Sequence, residues 1–203
     1  MGGQHALRFP PMSGIEWAAV AFGIASVWLS TREHIWSWPT AIVNVLLYVI
    51  VFRDAKLYAD MWLQVMYAAI SVYGWWHWLH GGAGDSALPV SRTPARLMLI
   101  LATIALVASA SLGELFARTT DAALPRLDAT LAATSLVAQW MLTRKLVENW
   151  LVWIALDVVY VGMFVYKRLY PTAGLYAVFL VLAVIGYRSW RRSLGESFAR
   201  TAT

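Results

Sequence analysis

The chain has no cysteine. Disulfides, thiolate metal sites and cysteine nucleophiles are therefore excluded. Charge is scarce: Asp, Glu, Lys and Arg make up 13% of the 203 residues, where a soluble domain carries about a quarter. The histidines are few, His5, His34, His77 and His80. His77 and His80 lie at the end of one apolar run without the carboxylates of a metal site. Neither His-Glu-x-x-His nor Gly-x-Ser-x-Gly occurs, so no catalytic residue, metal or cofactor is expected. Nothing resembles a nucleotide-binding loop, so the chain does not itself couple to ATP. The lysines, Lys56, Lys145 and Lys167, all fall between apolar runs, which leaves a retinal Schiff base without its amine.

What is abundant is apolar surface. Sixty per cent of residues are hydrophobic, twelve are Trp, and the mean hydropathy is +0.60. Such a chain is a polytopic membrane protein, not a soluble enzyme. The net charge of +5 does not argue for nucleic acid, because the Lys and Arg sit between apolar runs. Met1 to Met12 is polar and carries Pro10-Pro11. That is no secretory signal, so the first apolar run is expected to be a retained span.

Seven runs emerge, at about 14–31, 37–53, 58–79, 95–116, 127–143, 149–166 and 171–190. Charges collect at the joints, as in Arg32-Glu33, Arg53-Asp54-Ala55-Lys56, Asp121, Arg144-Lys145 and Lys167-Arg168. The stretch from Gly81 to Pro94, with three glycines and two prolines, reads as a loop. The runs must be helices, since lipid offers no partner to backbone groups, and the alternation of a β-barrel is missing. With seven spans the termini lie on opposite sides. Arg8, Arg53, Lys56, Arg118, Arg126, Lys167 and Arg168 gather on the N-terminal side. Arg32, Arg92, Arg96, Arg144, Lys145, Arg188, Arg191, Arg192 and Arg200 gather on the other. The excess favours a cytoplasmic C-terminus.

Shifted by 112 residues, the chain overlays itself without a gap. Trp28 falls on Trp140, Thr31 on Thr143, Arg32 on Arg144, Trp38 on Trp150 and Ile42 on Ile154. Tyr48 falls on Tyr160, Phe52 on Phe164, Leu57-Tyr58 on Leu169-Tyr170, Gly74 on Gly186 and Trp78 on Trp190. This predicts two three-span units, at about 14–79 and 127–190, joined by one span at about 95–116. An odd linker makes the repeats parallel, about an axis along the membrane normal. Secondary transporters use such repeats to hold substrate at the repeat interface near the midplane. The competing reading is duplication for stability alone.

Polar residues within spans need an account. Asp157 lies at the middle of the sixth run, whereas Glu16, Asp60, Glu114, Asp128 and Glu148 lie near ends. A central charge costs about 2.5–3.5 kcal/mol on insertion scales. Trp150, Trp153, Asp157 and Tyr160 are spaced 3, 4 and 3 apart, so they share one helix face. Asn149 stands at the mouth of this stripe. A flat cationic ring stacked on an indole gains about 0.5–2 kcal/mol, and Asp157 supplies the complementary charge. Gln139, Asn44 and Gln64 are further candidates, and Asn44 shares a face with Tyr48, the repeat mate of Tyr160. The plainer alternatives are an aromatic belt for the tryptophans, helix-to-helix bonding for the amides and a hydrogen-bonded structural role for Asp157. Met61, Met66, Met141 and Met163 read as packing, and Gly23, Ala25, Gly74, Gly162 and Gly186 as helix-packing small residues.

The run Leu142-Thr143-Arg144-Lys145-Leu146-Val147-Glu148-Asn149-Trp150-Leu151-Val152-Trp153 resembles the signature of the bacterial nicotinamide riboside transporter (PnuC) family. So does Ala55-Lys56-Leu57-Tyr58-Ala59-Asp60 with Val72-Tyr73-Gly74-Trp75 after it. The resemblance extends from about residue 15 to Trp190. It implies seven helices in a 3+1+3 arrangement like that of the SWEET sugar transporters. It also implies a homotrimer in membrane lipid and facilitated diffusion of a vitamin precursor that cytosolic phosphorylation then traps. It assigns Asn149, Trp150, Trp153 and Gln139 to the substrate site. Some members carry an amide near the place of Asp157, which implies that the carboxylate tunes substrate choice. The wider family includes thiamine carriers, and the stripe suits a pyridinium or a thiazolium equally.

The expectation is thus an all-α inner-membrane transporter of nicotinamide riboside, a single domain of rocking three-helix bundles. Thiamine is the rival substrate, and a proton carried by Asp157 is the rival to passive transport. A membrane sensor without transport is the rival class, opposed by a tail of only about ten residues after Arg192.

Overall fold

A computed structural model describes residues 13–119 and 124–201, with no side-chain detail for Ala59 or for 196–201. Arg8, Asp121 and the polar run Met1 to Met12 lie outside the described residues. Seven helices occur among the described residues. They are α1 (Gly14–Thr31), α2 (Ser37–Asp54), α3 (Tyr58–His80), α4 (Ala95–Thr119), α5 (Pro125–Thr143), α6 (Asn149–Tyr166) and α7 (Tyr170–Thr201). Four of them, α1, α4, α6 and α7, are long and apolar enough to cross a membrane.

Local chemistry sets the boundaries. Ser13 and Glu16 form a capping box at the start of α1: the Ser13 N–H donates to Glu16 Oε2 at 2.6 Å, and the Glu16 N–H to Ser13 Oγ at 3.2 Å. Pro125 occupies the first position of α5, where a missing N–H does no harm. The joints after α1, α2, α5 and α6 each carry one residue in the left-handed region: Glu33 (φ 55°), Lys56 (60°), Lys145 (48°) and Arg168 (58°). Such a residue ends a helix sharply.

The end of α7 departs furthest from its expected boundary, while the other ends shift by up to three residues. The seventh run ends at 190 by composition, but α7 continues to Thr201. Arg191 and Arg192 mark where apolar surface stops, and charged residues do not interrupt a helix. The connection from Gly81 to Pro94 lacks helix, as expected, yet it is docked. The Ser91 N–H donates to Lys145 O at 3.0 Å and the Val147 N–H to Ser91 O at 2.9 Å. Glu148 accepts from the Thr93 N–H and hydroxyl, each at 2.7 Å.

The helices form a closed ring. In order around it, α1 packs on α2, α2 on α3, α3 on α5, α5 on α6, α6 on α7 and α7 on α1. Helix α4 lies outside and packs on α5 alone. Contacts of the first half recur in the second at the 112-residue offset. Trp38 meets Trp78 edge-on, with ring centres 5.2 Å apart, and Trp150 meets Trp190 edge-on at 5.4 Å. Trp38 lies over Gly74, and Trp150 over Gly186. Thr31 and Thr143 both donate to the carbonyl three residues back at 2.7 Å.

The halves also reach into one another. Trp78 Nε1 donates to Leu142 O at 3.1 Å, and Trp190 Nε1 to Ser30 O at 2.9 Å. Those two carbonyls are themselves 112 residues apart. Trp78 and Trp190 meet with centres 5.8 Å apart, which makes four tryptophans one continuous core. Lipid is as apolar as the side chains, so packing and interhelical hydrogen bonds hold such a core.

A Cβ added at Gly186 would lie 2.6 Å from the Trp150 ring. Overpacking of this kind costs about 1–3 kcal/mol. Gly74→Ala and Gly186→Ala should therefore lower thermal stability in detergent by similar amounts. Unchanged melting for either would contradict the close approach.

Candidate functional site

The α6 stripe divides on inspection. Trp150 is 2% exposed and wedged between Gly186 and Trp190. Its repeat mate Trp38 has the same setting, so this position packs the core of both halves. Trp153 is half-buried and bridges the tryptophan core and a second cluster of Leu131, Ala138, Leu156 and Met163. Asp157 is 4% exposed, and no hydrogen bond reaches it among the described residues. It therefore lacks the Ser, Thr or Asn partner that a purely structural carboxylate would have. Tyr160 stacks on Tyr176 with ring centres 4.5 Å apart and 30° between planes.

Asn149 is fully buried at the first turn of α6. Its amide nitrogen donates to Leu146 O at 2.6 Å. Among the described residues its Oδ1 has no partner, nor has the neighbouring Trp150 Nε1. Buried polar atoms are rarely left unmatched, so both are hydrogen-bonding capacity that the fold does not use. The mates Ser37 Oγ and Trp38 Nε1 are unmatched in the same way.

The remaining candidates separate. Asn44 Nδ2 donates to Ala19 O at 2.6 Å, which ties α2 to α1, the plainer role for a span amide. A Cβ at Gly23 would lie 3.0 Å from that nitrogen and 3.7 Å from Phe179, so Gly23 admits both. Tyr48 stacks on Phe52 at 5.6 Å, and Tyr160 on Phe164 at 6.0 Å. Gln64 and Gln139 are half-buried, and neither amide is hydrogen-bonded among the described residues.

The ring brings in two residues that the sequence reading missed. Tyr176 of α7 lies between Tyr160, Phe164 and Phe179, at 4.5, 5.1 and 5.9 Å. Tyr67 of α3 donates its hydroxyl to Ser135 of α5. One signal was available: Tyr176 is the repeat mate of Gln64. The candidate site is thus the buried carboxylate of Asp157 on the helix face that carries Trp153 and Tyr160, with Tyr176 of α7 stacked on Tyr160. It can hold a flat cationic ring by stacking and charge, with hydroxyls for a polar substituent. No group of His, Asp and Glu able to hold a metal occurs among the described residues. A shallow hollow beside Tyr187, Arg188, Arg191 and Arg192, and another where α4 meets α5, lie away from the stripe.

Trp150 and Tyr160 of the stripe should then behave differently. Trp150→Ala empties the core and should cost about 3–5 kcal/mol of stability. Tyr160→Phe removes only a hydroxyl and should leave the melting temperature near that of the parent. Thermal unfolding of the purified variants checks both. A stable Trp150→Ala protein would return Trp150 to the ligand.

Residues 13–192 match the sequence family described as nicotinamide mononucleotide transporter. The chain is 27% identical to the nicotinamide riboside transporter PnuC of Escherichia coli K12, over 93% of this chain and 90% of that one. It is 26% identical to the riboflavin/roseoflavin transporter RibM of Streptomyces davaonensis, over 83% and 80%. Its fold is similar to that in a crystal structure of the vitamin B3 transporter PnuC, with a TM-score of 0.74 and 22% identity over 93% of this chain and 85% of the other. On the family match across residues 13–192, the chain belongs to the nicotinamide mononucleotide transporter family of membrane transporters.

Proposed function

We propose that this multi-pass protein of the bacterial inner membrane carries nicotinamide riboside, and that the substrate binds inside the six-helix ring. One observation carries the reading: Asp157, buried with no ion pair or hydrogen bond among the described residues, shares a helix face with Trp153 and with Tyr160, on which Tyr176 stacks. The pyridinium of nicotinamide riboside is flat and cationic, and its ribose offers hydroxyls. Stacking and the carboxylate meet the first property, and the phenols and the free oxygen of Asn149 the second. Gln139 and Gln64 keep their unbonded amides for the same purpose.

In this reading all seven helices span the bilayer. Two parallel repeats, α1–α3 and α5–α7, are related by an axis along the membrane normal, and α4 restores the direction of the second. The contacts duplicated at 112 residues support that symmetry. The repeats form a single transporter domain whose bundles rock about the site. The C-terminal end carries the larger share of Arg and Lys and faces the cytoplasm. Transport is facilitated diffusion, with cytosolic phosphorylation trapping the product, and the protomers assemble as trimers in the lipid.

Titration calorimetry of the purified protein tests the substrate. Nicotinamide riboside should bind, and nicotinamide, which lacks the fixed charge and the ribose, should not. Thiamine is the rival cation, and riboflavin enters because the relative RibM carries it. Trp153→Ala should weaken nicotinamide riboside about 2- to 30-fold, the span of cation–π energies. Asp157→Asn should weaken it further while the protein stays folded. Binding of thiamine or riboflavin alone would replace the substrate. Normal binding by Trp153→Ala would remove the site from α6.

A further inference from the structure

Lys145 and Glu33 belong to no part of the site above. Lys145 Nζ donates to Glu33 Oε2 at 3.1 Å, with side chains 8% and 23% exposed. The ammonium lies 4.6 Å from the centre of the Trp78 ring. The two residues are 112 apart, and both hold the left-handed position that ends the first helix of a half. They are therefore one position, occurring twice, and the two copies meet each other between the halves. Identical copies there would be neutral or would repel. Opposite charges make the contact an attraction.

The other end of the ring is built differently. The corresponding joints after α2 and α6 carry Lys56 and Arg168, in the same left-handed conformation. Both are exposed cations, and no ion pair joins them among the described residues. One end is thus closed by unlike charges between repeat mates, and the other presents like charges. The partners of the closed end are also unequally held. The Lys145 turn is strapped by Ser91, whose N–H donates to Lys145 O and whose carbonyl accepts from Val147. Among the described residues no such strap reaches the Glu33 turn, where Trp36 is 61% exposed.

We propose that Glu33 and Lys145 form the latch of a gate at the end of the ring that holds the α1–α2 and α5–α6 joints. The pair is intact while the carrier is closed to that face, and it parts when the carrier opens there. Lys145 stays with the strap and Glu33 moves away. The proposal rests on the alternating-access reading. Breaking a buried pair by removing one partner leaves an uncompensated charge, so neutralising Glu33 favours the open face.

The absence of cysteine makes the native chain a ready background for thiol chemistry. Glu33→Cys with Lys145→Cys, linked by a short reducible bifunctional thiol reagent, should lose nicotinamide riboside uptake in proteoliposomes and regain it on reduction. Binding should persist in the linked form. Equal uptake by linked and reduced protein would overturn the latch. A second readout needs no transport. A cysteine at Asp157, treated with a membrane-impermeant thiol reagent from this face, should be protected in the parent and labelled when Glu33→Gln is added. The exchange Glu33→Lys with Lys145→Glu should restore protection. Labelling indifferent to Glu33→Gln would also overturn the proposal. Uptake missing from the parent protein would count against the substrate reading, and the labelling comparison would still decide the latch.

Discussion

The structure depends on what happens to the backbone where α1 and α5 stop. Each ends in a left-handed residue, and in that turn the Ser30 and Leu142 carbonyls accept one backbone N–H, from Glu33 and Lys145, and keep capacity for a second donor. The donor in each case is an indole from the opposite half, Trp190 for Ser30 and Trp78 for Leu142. A bond of this type is worth about 0.6 kcal/mol on average and about 1.7 at most, so the two bonds alone do not hold the halves. They fix the register in which four tryptophans pack, and that packing does the rest.

Other features follow from that register. An indole can cross to the far half only if its neighbour lies flat on a helix, which requires the glycines at 74 and 186. With the halves joined by α1 against α7 and α3 against α5, the ring closes and its interior is defined. Tyr160, Phe164, Tyr176 and Phe179 pack against one another on α6 and α7, and Asp157 lies buried on α6 with no ion pair among the described residues. Helix α4 is outside the ring and packs on α5 alone.

Much of this was legible in the sequence because apolar run length, charge at the joints and tryptophan spacing are one-dimensional signals. Helices α1 and α6 begin and end where composition places them. The offset of 112 was visible from identities, and the contacts repeat it. Tyr67 and Tyr176 were not legible, since a tyrosine facing the ring and one facing lipid read alike in an apolar helix. Trp150 was placed on the stripe by its spacing, and the structure packs it in the tryptophan core, a contact that spacing alone does not show. Lys145 was counted with the exposed charges of the joints. The structure buries it against Glu33, a partner that no local pattern indicates, because the pairing exists only once the halves are assembled. The end of α7 was misplaced because hydropathy reports where lipid stops, and a helix persists beyond that point.

The central claim is that the interior of the ring is where the vitamin precursor binds. The most direct measurement is an experimental structure of the purified protein with nicotinamide riboside bound. The account predicts the pyridinium within stacking distance of Trp153 or Tyr176, its charge facing Asp157, and the ribose toward the free oxygen of Asn149. Ligand density outside the ring, at the α4–α5 joint or beside the α7 arginines, with the tyrosine interior undisturbed, would contradict it.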